Sequence, residues 1–156
     1  MVEQAELGLN FDPDYHLIGV PPNQVSKIWD YIRPVVMEGK KYWEDYTTVE
    51  QLYKDITQGK FQCWIVINEG VIITVFLTEI IEYPKKRVLS IVWICGSELD
   101  KYLECFLSYL EVWAVNLGVS SAMVTGRRGW IRKLRPLGYT QERIIVEKSV
   151  TDIRIH

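Results

Sequence analysis

The stretch that decides the fold is Val88-Leu89-Ser90-Ile91-Val92-Trp93-Ile94, which runs directly into Cys95-Gly96-Ser97-Glu98-Leu99-Asp100-Lys101-Tyr102. Its first part is an almost unbroken apolar run rich in β-branched residues, the pattern of a strand covered on both faces at the centre of a sheet. Directly after it, Leu99, Tyr102, Leu103, Phe106, Leu107, Leu110, Trp113, Ala114 and Leu117 recur at helical spacing, with Gly118 past the end. A buried strand feeding a long amphipathic helix predicts an α/β chain. Ser97-x-x-Asp100 fits the cap signature of that helix. Glu98 and Asp100 would then occupy its first turn, where carboxylates complement the positive end of the helix dipole.

Working back from this core, Val71–Ile81 and Phe61–Ile67 are β-rich runs joined by the hairpin signal Asn68-Glu69-Gly70. Tyr83-Pro84-Lys85-Lys86 turns the chain into Val88–Ile94, so three strands form an antiparallel meander. Two helices precede it. Val25, Ile28, Trp29, Ile32, Val35 and Val36 define the first, with Gly39 as its stop and Pro34 expected to kink or shorten it. The second starts at Thr47, where Thr47-x-x-Glu50 reads as a capping box, and ends at Gly59. Between them, Tyr42 and Trp43 beside Lys40 and Lys41 are expected in an exposed loop. Tyr15–Val20 is a short first strand, and residues 1–14 form a loose arm ahead of a single domain spanning 15–156. Beyond the long helix lie a short strand at Ser121–Thr125, a short helix at Gly129–Leu134 and a closing strand or hairpin over Tyr139–Val150. The expected order is β-αα-βββ-α-β-α-β, a mixed central sheet with helices on both faces.

Composition narrows the function classes. The chain has 156 residues, 48% hydrophobic and 24% charged, with a net charge of -2. That balance gives no global reason for nucleic-acid or membrane binding, and no apolar run reaches the roughly 20 residues that span a bilayer. The acidic N-terminal stretch lacks the apolar core of a signal peptide. Three cysteines without C-x-x-C spacing predict reduced thiols in a cytoplasmic compartment, and Cys95 is read as packed. With His16 and His156 as the only histidines, neither a metal site nor a Ser-His-Asp triad is expected.

The element order, together with Gly126-Arg127-Arg128-Gly129-Trp130 and Leu137-Gly138-Tyr139, resembles the GNAT (N-acetyltransferase) fold, and in particular small GNAT-like proteins of tailed phages and prophages. The resemblance covers roughly residues 15 to 150. It implies that acetyl-CoA or another acyl-CoA lies along the end of the central strand, with Val92, Trp93 and Ile94 offering backbone to pantetheine and Gly96 and Ser97 next to the pyrophosphate. It also implies that Arg127, Arg128 and Trp130 face the adenosine end, and that an amine or protein acceptor is acylated with Glu79 as base. The aromatics of the two-helix segment would shape the acceptor side.

Two elements of the family pattern are missing. The pyrophosphate loop is normally R/Q-x-x-G-x-G/A, whereas Cys95–Lys101 holds one glycine, no leading Arg or Gln, and two carboxylates that would repel a pyrophosphate. The frequent tyrosine acid four residues before a Gly-aromatic pair is replaced by Leu134, which transfers no proton. A non-catalytic reading therefore stands beside the enzymatic one. In it, a phage protein works through contacts with phage or host proteins, in the bacterial cytoplasm or the virion. The sharpest local charge is Arg127, Arg128, Arg132, Lys133 and Arg135, with no acid between Gly126 and Tyr139. A third reading gives this basic turn weak affinity for single-stranded nucleic acid, although the charge balance does not favour nucleic acid as a partner.

Overall fold

The computed structural model describes residues 14–126 and 128–151. The chain divides after Gly126 into two units. The first carries five strands, β1 (Tyr15–Val20), β2 (Gln62–Asn68), β3 (Val71–Glu82), β4 (Arg87–Gly96) and β5 (Ser121–Val124), in one sheet of order β1-β2-β3-β4-β5. The first four are mutually antiparallel and β5 runs parallel to β4, so the sheet is mixed. The β2–β3 hairpin turns through Glu69 (φ 51°) and Gly70 (φ 76°). Two consecutive positive φ values define the turn whose twist matches paired strands, which is why Asn-Glu-Gly forms it.

Helices cover both faces. On one lie α1 (Pro22–Glu38), α2 (Lys40–Trp43) and α3 (Val49–Thr57), burying Val25, Ile32, Val36, Leu52 and Ile56 against Cys63, Ile65, Val75 and Leu77. On the other lies α4 (Leu103–Val115), whose face is largely aromatic. Trp64 meets Tyr109 and Trp113 edge-on, and Tyr102 lies between Tyr15 and Phe106. The polar atoms on that side are paired, as buried polar atoms must be. Trp64 Nε1 donates to Thr78 Oγ1 at 3.0 Å, and Thr78 donates on to Gln62 Oε1 at 3.0 Å.

Several expectations need correction. Pro34 sits inside α1 without ending it. Pro34 and Asp30 are both exposed, so the Asp30 carbonyl released by the missing donor faces water. The cap of α3 is Thr48, not Thr47: Thr48 Oγ1 accepts from Gln51 N at 3.1 Å. The tandem threonines offered two caps one residue apart, and Glu50 pointed to the wrong one.

Trp43 lies on α2 rather than in an exposed loop, is 3% exposed, and donates Nε1–H to the Val36 carbonyl at 3.0 Å. Tyr42 is half-buried, and the exposed ring of this segment is Tyr46 at 71%. The long helix starts at Leu103, later than expected, for reasons that belong to the site below.

The second unit holds α5 (Gly129–Leu134) and a 3₁₀ turn at Arg135–Leu137. No strand forms over Tyr139–Val150, where Ile144, Ile145, Val146 and Val150 are exposed. A β-prone run forms a strand only where a ladder partner exists. The arm expected over 1–14 lies, Asp14 apart, outside the described residues. No described helix is long and apolar enough to cross a membrane.

Candidate functional site

The site is built by the second half of β4. Only Val88–Ile91 pair with β5, opposite Ser121–Val124, with one further bond from Thr125 N to the Ile91 carbonyl at 3.4 Å. Val92–Gly96 run on past the end of β5. At the same place the β3–β4 register shifts: Leu77 faces Trp93 and Thr78 faces Ile91, so Val92 is the extra residue of a β-bulge. A bulge bends its strand and raises local twist, and this one falls where pairing with β5 stops. The result is a strand end whose far edge has no ladder partner from β5.

On the α1–α3 face, Val92 and Trp93 are half-buried against the core and Trp93 pairs with the Tyr46 ring at 6.0 Å. Trp29 and Tyr53 form a second pair on this side at 4.9 Å. Glu79 follows Val75 and Leu77 in strand alternation, so it belongs to the same face, half-buried and opposite Ser90 in register. Glu82 instead pairs with Arg87 at the exposed turn. Cys95 is buried, and burial with nearby Glu38 pushes its thiol up to about 12, so it is a packed residue and no nucleophile at neutral pH.

The loop after β4 departs from the expected helix start. Gly96 has a φ of 132°, and an added Cβ there would lie 2.1 Å from the Ile73 carbonyl oxygen, so the position requires glycine. Ser97 N still donates to that carbonyl, at 3.1 Å, which extends the ladder. The Thr74 and Tyr102 hydroxyls bond each other, and one of them donates on to the Ser97 carbonyl, which stands 2.7 Å from Tyr102 OH and 3.1 Å from Thr74 Oγ1. Burial raises the Tyr102 hydroxyl above its ordinary pKa, keeping it protonated.

Ser97 is therefore tied into the sheet and cannot cap a helix. Glu98 takes a left-handed φ of 61°, and its carboxylate bonds Lys101 at 2.9 Å. That bond holds Glu98 below, and Lys101 above, its usual pKa. A 3₁₀ turn at Leu99–Lys101 follows, and α4 begins with Tyr102 as an uncapped N-cap. The acids expected in the first turn of the helix lie ahead of it.

In the second unit, Arg128 and Trp130 stand at the start of α5, with Lys133 Nζ 5.9 Å from the Trp130 ring centre. Arg127 lies outside the described residues. No group of His, Cys, Asp and Glu suited to a metal occurs among the described residues. Missed from sequence were the Val92 bulge and the Thr74–Tyr102–Ser97 cluster. Thr74, the one hydroxyl between Ile73 and Val75 on an apolar strand, was the available signal for the second.

No protein-family model matches the chain, and no curated protein does. Solved structures do. An aminoglycoside acetyltransferase from an uncultured soil metagenomic sample, in complex with sisomicin, superposes with a TM-score of 0.65 at 16% identity, over 91% of this chain and 99% of that one. The aminoglycoside N-acetyltransferase AAC(6')-Iy in complex with CoA gives 0.65 at 13% identity, over 86% and 94%. A GCN5-related N-acetyltransferase from Ralstonia eutropha gives 0.62 at 8%, over 87% and 99%. The architecture is the GNAT fold. At these identities the likeness concerns fold alone.

Proposed function

We propose that the chain is an acyl-CoA-dependent N-acyltransferase that holds its cofactor through strand backbone in place of a glycine-rich phosphate loop. The observation that carries this reading is the early end of β5, which leaves Val92–Gly96 of a bulged central strand without a ladder partner from β5 on that edge. An extended arm bearing amide groups is the natural complement of such an edge, as in strand addition. The arm would take backbone groups of Val92, Trp93 and Ile94. Gly96 and Ser97 would contribute less, because Gly96 is packed on β3 and both backbone groups of Ser97 are engaged. Arg127, Arg128 and Trp130 remain the candidates for the adenosine end.

When bound, the acyl-CoA supplies an activated thioester, and the chain's own task is to bring an amine to it in neutral form. Glu79, on the face that carries Trp93 and Tyr46, is the base in this reading. The acceptor is an amine, and the aminoglycoside and CoA complexes of the structural neighbours make such compounds the first to try. Acetyl-CoA should bind, by calorimetry, and be consumed with an amine panel. Glu79→Gln should lower turnover by roughly 10²–10⁴-fold with the fold intact. No heat and no thermal shift at millimolar acetyl-CoA overturns the proposal.

A second reading, a non-catalytic protein of phage origin acting through phage or host protein contacts, is favoured by the closed Gly96–Tyr102 loop with its Glu98–Lys101 pair. Stoichiometric recovery in purified particles or with a host protein supports it, and turnover on any amine removes it.

A further inference from the structure

Charge is distributed very unevenly along this chain. Residues 127–156 carry eight Lys and Arg against three Asp and Glu, while residues 1–126 carry ten against seventeen. The modest net charge of -2 conceals a basic C-terminal unit and an acidic N-terminal one. Such asymmetry is an electrostatic statement about partners, not about fold.

Within the basic unit the arginines are ordered. Arg128 and Arg135 both have right-handed helical φ and ψ at the two ends of α5, so the helical path includes them. Arg128, Arg132 and Arg135 therefore stand at i, i+4 and i+7, on one stripe of one face. They line a single open concavity of about 370 Å³, together with Ile131 and Pro136. All three are exposed, and the salt bridges found among the described residues, Arg87–Glu82 and Lys101–Glu98, involve none of them. Like charges one turn apart repel and weaken a helix, and this helix is short, with no side-chain cap. Folding alone gives no reason to gather three guanidinium groups around one hollow.

We propose that Arg128, Arg132 and Arg135 form a phosphate-binding site, taking a phosphate dianion through their guanidinium forks with Ile131 and Pro136 beneath the attached group. Guanidinium suits this better than ammonium because its planar donors pair with two oxygens at once. The chemistry is that of a phosphomonoester or pyrophosphate on a small molecule. A nucleic-acid backbone is the less suitable partner, since the stripe spans only about 10 Å of helix at 1.5 Å per residue. The site goes beyond the acyltransferase reading and does not depend on it. Arg128 alone is shared with the expected adenosine contact; Arg132 and Arg135 belong to no part of it.

The test is calorimetry on the full chain at fixed ionic strength, with inorganic pyrophosphate as probe and chloride as control. Saturable binding is expected, weakened at least tenfold in Arg132→Gln/Arg135→Gln and unchanged in Lys85→Gln/Lys86→Gln, which removes equal charge from the β3–β4 turn. A circular dichroism spectrum matching wild type confirms that the variant is folded. CoA compared with dephospho-CoA identifies the source of the phosphate. A preference for CoA that vanishes in the arginine variant assigns the site to the cofactor's 3′-phosphate, and equal binding of the two, with pyrophosphate still bound, assigns it to a separate small molecule. Absence of saturable binding overturns the proposal, as do equal losses in both double variants. So does tighter binding of a single-stranded oligonucleotide whose affinity grows with its length.

Discussion

The two halves of β4 are made of the same kinds of residue and are used differently. Val88, Leu89, Ser90 and Ile91 are at most 4% exposed and are flanked by β3 on one edge and β5 on the other. Val92, Trp93 and Ile94 are half-buried, bulged and past the end of β5. Hydrophobicity reports whether the faces of a strand are covered and is silent about its edges. The faces of β4 are covered along its length, while pairing with β5 stops after Ile91.

The largest expected effect tests whether the second half is uniformly tolerant. Gly96→Ala should cost about 3–5 kcal/mol, from positive-φ strain plus a Cβ driven onto β3 backbone. A fall in urea midpoint worth less than 1 kcal/mol would show that the loop adapts freely. Leu89→Ala should then cost about 3 kcal/mol as a cavity in the sealed half. Trp93→Ala, in the open half, should cost less, because part of its surface already meets water. Equal losses would abolish the distinction between the halves.

Thr74→Val removes a hydroxyl that joins Tyr102 to the Ser97 carbonyl and should cost about 1–2 kcal/mol. Combined with Tyr102→Phe, it should depart from additivity by about 0.5 kcal/mol or more in a double-mutant cycle. The smallest effect concerns the thiols. Burial raises Cys63 and Cys95 to about 12 in the fold. A raised thiol pKa means that the folded state holds the proton longer, so this stabilising contribution is complete below the unfolded pKa of roughly 8.5. It declines as pH climbs from there toward 12. At pH 8 iodoacetamide should modify Cys105, which is half-buried, well before Cys63 or Cys95, and simultaneous labelling of all three would mean that β2 and β4 open together.

What the sequence disclosed follows the same division. Strand β1 and helix α5 fall on their expected residues, and β2 to β5 within one or two, because the hydrophobic period and the turn residues mark them directly. The bulge at Val92 left no trace, since apolar residues on both faces erase the period that would reveal a register shift. Helix α4 starts later than Ser97-x-x-Asp100 suggested because the Ser97 amide bonds Ile73 and its carbonyl meets Thr74, both more than twenty residues away, as well as the nearby Tyr102. Local caps lose to such long-range bonds. Tyr139–Val150 has the composition of a strand but no partner to pair with, and composition cannot supply one. Of the candidate residues, Val92, Trp93 and Glu79 share one face of the sheet.

Gly39 closes α1 in close contact with β4: a Cβ placed there would stand 2.5 Å from Cys95 Sγ and 3.1 Å from Cys95 Cβ. The two positions are therefore locked into shared inheritance. A bulkier residue at 95 would press on the α1–α2 corner, and a side chain at 39 would have to move the Cys95 side chain. Related sequences should conserve small residues at both positions or change them as a pair, whatever happens to the chemistry beside them.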